Sequence, residues 1–251
     1  MYNDHMPDTS YEIRQCESCG LRYPLVQGHP FGTRCPACMG ETRVLLSRQL
    51  VAEASPASLP PHQASSKRSG GDKITKRNLM DRSNRDSRRG GTLAVLLDNI
   101  RSAWNVGSIL RSADGFGFTQ AYLCGITPTA DHEAVTKTSL GAEDSVPWSY
   151  HKDAVRLVKG LKAEGWRVYA LEEDSRSLSI SQFPSYRSLK RRSFNASALI
   201  IGNEVTGVDP ELLDLCDEIF YIPMLGEKKS FNVAIAFSIA AYALNVQKAG
   251  T

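Results

Sequence analysis

Leu93-Ala-Val-Leu-Leu-Asp98-Asn99-Ile-Arg-Ser-Ala-Trp-Asn105-Val-Gly-Ser-Ile-Leu-Arg111-Ser-Ala-Asp114-Gly-Phe-Gly117 changes its hydrophobic period partway along. The first six residues form an apolar run closed by a carboxylate, the pattern of a strand buried on both faces. Over about 103–115 the apolar positions Ile109, Leu110 and Ala113 recur at helical spacing. A buried strand that feeds an amphipathic helix is the building unit of an α/β sheet.

The same rhythm continues toward the carboxyl end. Strands are expected at 121–126, 166–172, 196–202 and 218–224, with helices near 152–164, 209–216 and 230–247. Their alternation predicts an α/β domain over residues 92–251 with a mostly parallel sheet and helices on both faces. Cys124 and Cys216 fall inside apolar patterns and are expected to be small core residues.

Toward the amino end the composition changes. Residues 51–91 are rich in Ala, Ser, Pro, Lys, Arg and Gly, with too few apolar groups to offset the entropy of ordering. They are expected to form a flexible basic linker. Between Lys67 and Arg89 nine Lys/Arg face three Asp, a charge of +6, so the overall +3 leaves −3 for the remainder. Such a stretch suits a phosphate backbone and equally suits a solubilising linker.

Residues 1–50 carry Cys16, Cys19, Cys35 and Cys38 as C-x2-C-x15-C-x2-C. Two such pairs can place four thiolates tetrahedrally around Zn²⁺. A fragment this small cannot bury a sufficient core, so the metal would supply its folding free energy. A zinc-ribbon-like module is therefore expected, with His29 as a solvated loop residue rather than a ligand. Ribbons bind RNA, DNA or protein, so the module alone names no function.

The chain has 251 residues, 41% hydrophobic and 23% charged, enough for a full α/β core and a smaller module. Its start lacks a basic segment followed by an apolar one, and no apolar run approaches the roughly 18 residues of a membrane span. A soluble cytoplasmic protein is expected, in which six cysteines serve as ligands or core residues rather than disulfides.

Three segments that follow strands carry residues suited to chemistry, because parallel sheets gather ligands at the carboxyl ends of their strands. In the first, Asn105 and Arg111 are six residues apart and are expected to look toward the strand ends. A guanidinium there suits a phosphate or ribose edge, although alone it would read as an exposed helix arginine. The second, Ile200-Ile-Gly202-Asn203-Glu204-Val-Thr-Gly207-Val-Asp209-Pro210, combines two glycines and a carboxylate with a helix start capped by Asp209. The third, Ile222-Pro-Met-Leu-Gly226-Glu-Lys-Lys-Ser230-Phe-Asn232-Val-Ala, leads into an apolar helix for which Ser230 is the expected N-cap.

In order and wording these segments (N-V-G-x-I-L-R-x-A-D-x-F-G, G-N-E-x-x-G-V, I-P-M-x-G-x-x-x-S-F-N-V-A-x-A) resemble the three motifs of the TrmH (SpoU) family of the SPOUT superfamily, the 2′-O-ribose methyltransferases of RNA. Lys137-Thr-Ser139-Leu-Gly141-Ala142 and Val146-Pro147 are similar to it too. The resemblance spans roughly residues 92–248 and leaves 1–91 outside. It implies a trefoil knot near the carboxyl end, a homodimer with sites near the interface, and transfer of a methyl group from S-adenosylmethionine to a ribose 2′-hydroxyl of tRNA or rRNA. By the same resemblance the cofactor would be held at Leu171, Gly202, Ile222, Leu225 and Phe231. Asn105, Arg111, Glu204, Ser230 and Asn232 would serve catalysis and substrate binding. A non-catalytic RNA-binding or ribosome-assembly protein that keeps the fold is the alternative reading. A dinucleotide-binding domain lacks support, since no G-x-G-x-x-G follows Leu93–Asp98.

Overall fold

A computed structural model of the chain describes residues 10–28, 32–50, 92–182 and 196–246. The expected linker at 51–91 and His29 lie outside the described residues. Two compact units divide the chain between Asp72 and Lys73.

In the first unit, β1 (Ser10–Cys16) pairs antiparallel with both β2 (Arg22–Val26) and β3 (Thr42–Gln49), in the order β2-β1-β3. Among its described residues the buried apolar ones are few: Tyr11, Ile13, Leu21 and Tyr23, with Cys16 and Cys35. Polar staples supplement them. The buried Arg14 donates to the Thr42 hydroxyl at 2.8 Å and to the Thr42 carbonyl at 3.0 Å, and it pairs with Glu12.

The second unit is built on seven parallel strands: β4 (Thr92–Asp98), β5 (Gln120–Cys124), β6 (Trp148–His151), β7 (Arg167–Leu171), β8 (Leu178–Ser179), β9 (Ala196–Ile201) and β10 (Glu218–Tyr221). Their order is β6-β5-β4-β9-β7-β10-β8. The helices are α1 (Ala103–Gly115), α2 (Glu133–Ser139), α3 (Ala142–Ser145), α4 (Ala154–Ala163), α5 (Pro210–Leu215) and α6 (Val233–Val246).

Strand alternation divides the core into two layers. Leu93, Val95 and Leu97 of β4 join Leu199, Ile201 and Phe220 against α1 and α6, whereas Leu96, Val168 and Ile200 pack against α4 and α5. Cys124 and the partly buried Cys216 belong to the second layer, as their apolar surroundings predict. On the first face Gly107 lets α1 and α2 approach closely. A Cβ there would stand 1.9 Å from the Thr138 hydroxyl and 2.4 Å from the Val135 carbonyl. Gly107→Ala is therefore expected to lower stability by about 1–3 kcal/mol, read as a lower melting temperature, despite the better helix propensity of alanine.

The expected strands and long helices are present, with shifted ends. The last long strand stops at Tyr221, two residues before Pro223, which lacks the N–H a ladder needs. β6, β8, α2 and α3 are additional to the expected elements. β6 and β8 are the edges of the sheet, short and incompletely buried, so no apolar run announces them. Among the described residues no helix is long and apolar enough to cross a membrane.

Candidate active site

The three chemistry-bearing segments all leave the carboxyl edge of the sheet. β4 and β9 are neighbours, with Leu97 opposite Ile201, so the loops that begin at Asn99 and Gly202 start side by side. β7 and β10 follow, with Leu171 opposite both Ile201 and Phe220.

A buried polar network ties the first two loops together. Asn99 adopts a left-handed backbone with φ 59°, a conformation asparagine tolerates better than most residues. Its side chain donates to Asp98 at 2.8 Å and accepts from the Ile126 N–H at 3.0 Å, while its carbonyl accepts from the Asn203 amide at 2.7 Å. The second oxygen of Asp98 accepts the Asp209 N–H at 3.0 Å, and Asp209 caps α5 by accepting from Glu211. Asn203 also accepts from Val205 and Thr206, which closes its own loop.

On this base Glu204 reaches back across the chain. Its carboxylate accepts the N–H of Arg101 at 2.8 Å, the N–H of Ser102 at 3.1 Å and the Asn105 side-chain amide at 3.0 Å. Ser102 is the N-cap of α1 and accepts from the Asn105 N–H. Glu204 is thus an anion at a helix N-terminus, where free N–H groups and the helix dipole favour negative charge. The Asn105 side-chain oxygen Oδ1 in turn accepts from the Asn232 side-chain amide at 3.1 Å. Three residues from three distant segments are thereby joined in one chain of hydrogen bonds.

Two expectations change here. Asn232, not Ser230, occupies the cap position of α6: its side chain accepts from Ala234 at 2.9 Å and from Ile235 at 3.4 Å, and its carbonyl accepts from Ala236. Ser230 lies exposed in the preceding loop. Arg111 is not gathered with Asn105. Six helical residues place it about 120° around α1 from Asn105, on the solvent side, and it makes no hydrogen bond or ion pair among the described residues.

Glu172, at the end of β7, carries no role in the sequence reading. Its carboxylate accepts the Val208 N–H at 2.8 Å and lies against Gly207, where a Cβ would stand 2.4 Å from it and the φ of 70° also favours glycine. Burial pushes its pKa above the ordinary carboxylate value, against the lowering effect of the Val208 and Glu173 N–H groups. The brace binds the Leu171 strand end to the Gly202 loop. Gly202 is equally constrained, since a Cβ there would stand 2.3 Å from the Val208 nitrogen.

Leu171, Gly202 and Ile222 follow three adjacent strand ends, and the loop after β10 carries Leu225 fully exposed and Phe231 41% exposed. Uncovered apolar side chains above open strand ends fit the adenine and thioether portions of S-adenosylmethionine, with loop backbone available for its polar groups. In the first unit, the Cys16 and Cys38 sulfurs are 3.5 Å apart, those of Cys19 and Cys35 are 3.7 Å apart, and all four lie within 4.8 Å of one another. Tetrahedral zinc with Zn–S near 2.3 Å requires S···S near about 3.8 Å, so the four thiols fit that ion. The Cys19 N–H already points at the Cys16 sulfur.

Fold and site together define an α/β protein of the SPOUT class, with its ligand loops at the carboxyl edge of a parallel sheet. The family model described as the SpoU rRNA methylase family matches residues 92–242. A tRNA (guanosine(18)-2′-O)-methyltransferase of Thermus thermophilus is 31% identical over 163 residues, 64% of this chain and 78% of that protein. The 23S rRNA (guanosine(2553)-2′-O)-methyltransferase RlmP of Bacillus subtilis is 32% identical over 60% of this chain and 56% of its own length. Among solved structures, the SpoU methyltransferase AviRb of Streptomyces viridochromogenes in complex with AdoMet has a TM-score of 0.54 at 25% identity, covering 64% of this chain and 62% of that one. The chain belongs to the SpoU rRNA methylase family.

Proposed function

We propose that this protein is an S-adenosylmethionine-dependent methyltransferase that modifies a ribose 2′-hydroxyl of tRNA or ribosomal RNA. The observation that carries the reading is the Glu204–Asn105–Asn232 chain of hydrogen bonds, set beside the cofactor loops at Leu171, Gly202 and Ile222. Relatives named for 2′-O-methylation of both tRNA and rRNA support it and leave the RNA class open. S-adenosylmethionine, when bound, supplies the electrophilic methyl group. The residues of this chain must hold the ribose oxygen against it and exclude competing orientations. Asn105 and Asn232 offer amide groups for the ribose, with Glu204 holding the Asn105 amide and Ser230 two residues before Asn232. Arg111 serves the substrate through its planar fork, orienting the 2′-hydroxyl and adjacent phosphate, since guanidinium groups hold their protons at physiological pH. Acceptance of the hydroxyl proton ranks second, because only a neutral guanidine could take it.

The reading extends to the whole protein. A zinc-ribbon-like module at 1–50 and a basic linker at 51–91 capture RNA through its phosphates, and the domain at 92–251 carries out transfer in the cytoplasm. The trefoil knot belongs to this reading as an expectation carried by the match to the SpoU rRNA methylase family. So does a homodimer. α6 exposes Ile235 (53%) and Tyr242 (57%) along a groove of about 480 Å³ shared with Asn105 and Asn232.

The test is methyl transfer from deuterium-labelled S-adenosylmethionine to total tRNA and, separately, ribosomal RNA, read by nucleoside mass spectrometry. Wild type is expected to yield a labelled 2′-O-methylnucleoside that Arg111→Ala does not. Near-normal transfer by Arg111→Lys would refute the role of the fork. No label in any RNA would favour the non-catalytic RNA binder.

A further inference from the structure

The geometry points to Trp104 as a stacking platform for a base of the bound RNA, beside the nucleotide whose ribose meets Asn105; this rests on the RNA reading above. α1 is covered on one side by the sheet and α2, where Val106, Gly107, Ile109, Leu110 and Ala113 are buried. The opposite stripe, at i, i+4 and i+7, is Trp104, Ser108 and Arg111. Trp104 leaves 56% of its surface in water, on the first turn of the helix. A single exposed apolar side chain is commonplace, so exposure alone decides nothing.

Placement decides it. Trp104 directly precedes Asn105, whose side chain is held by Glu204 at 3.0 Å and meets Asn232 at 3.1 Å. The Trp104 backbone therefore stands on the element that Glu204 and Ser102 fix, so the base of the platform is held before RNA binds. Charge complements it. Arg101, three residues before, and Arg111, about 10.5 Å along the axis, are both exposed, as are Lys228 and Lys229 in the loop before Asn232. An aromatic face bracketed by guanidinium groups suits a nucleotide, which offers a flat base and a phosphate together. Trp104 itself lies outside the lining of the α6 groove, whereas Asn105 and Ser108 of the same helix line it, so the platform borders that groove. Because every base has a π face, this platform sets the pose of the nucleotide without choosing its identity.

The experiment uses the full-length zinc-loaded protein, with unfractionated tRNA and ribosomal RNA as probes. Trp104→Ala is expected to raise KM for the RNA that accepts label by about tenfold or more, with KM for S-adenosylmethionine within about twofold. Trp104→Phe, which retains a ring, should recover most of the loss. RNA should quench tryptophan fluorescence in the wild type, and Trp104→Phe should lack that component, leaving Trp148 and Trp166 as the background. An unchanged RNA KM in Trp104→Ala, or equal quenching in Trp104→Phe, would overturn the proposal. So would a change of oligomeric state in Trp104→Ala by light scattering, which would assign the indole to an interface. Absence of wild-type transfer to any RNA is a different result, and it would remove the RNA reading itself.

Discussion

Replacing Glu204 with alanine is expected to reduce methyl transfer by on the order of 100-fold, because the carboxylate positions groups it does not itself present to substrate. Three donors lose their acceptor at once: the Arg101 and Ser102 N–H groups and the Asn105 amide. The first two lie at the start of α1, where loss of a capping acceptor costs about 0.5–2 kcal/mol. The third fixes which side of the Asn105 amide faces Asn232. Glu204→Gln, which keeps one carbonyl oxygen, should retain most of the melting temperature yet still lose activity, since its new NH2 group must face as a donor either the Arg101 N–H or the Ser102 N–H and Asn105 amide. The measurements are a thermal melt and single-turnover transfer at saturating RNA. Parent-like transfer by Glu204→Ala would refute the positioning role.

Removal of zinc is expected to unfold residues 10–50 while leaving the parallel-sheet unit intact. Structural zinc contributes an apparent 10–16 kcal/mol in small zinc-binding domains at neutral pH. Few buried side chains are present here to replace it. Tyr11, Ile13, Leu21 and Tyr23 are the larger buried apolar side chains, and Tyr23 and Arg14 spend their polar groups on the Arg34 carbonyl and on Thr42. Chelation, or Cys16→Ser, should collapse the dispersion of amide resonances from this unit. Those from β4 and α1 should remain in place, and the melt of the larger unit should hold. If the module captures RNA, affinity should fall in parallel and its salt dependence should become shallower. Retained dispersion after verified metal loss would show that the three-stranded sheet stands without the ion.

Much of the site was visible in the order of the residues. Asn105, Glu204 and Asn232 stand in segments whose wording marks them, and the spacing of Cys16, Cys19, Cys35 and Cys38 announces four converging thiols, which the structure brings within 4.8 Å. The supports were not visible. Asp98, Asn99 and Asn203 look like ordinary loop polar residues until their partners are seen, and Glu172 ends an apolar run without any mark of its purpose. Each acts through a bond to a residue far along the chain, as Asn203 does with the Asn99 carbonyl, and local spacing holds no information about that distance.

The sequence by itself determined the longer elements: where hydrophobic period changes from strand to helix, which side chains share a face, and which four cysteines can meet one ion. Tertiary structure decided the meetings between elements. Asn105 and Glu204, 99 positions apart, touch because β4 and β9 became neighbours. Arg111 turned outward because α1 presents Ile109, Leu110 and Ala113 to the core, and Asn232 became a cap because α6 begins only at Val233. Periodicity fixes an angle around one helix or one face of one strand. Strand order instead follows from which apolar faces bury most surface together, a property of the whole core.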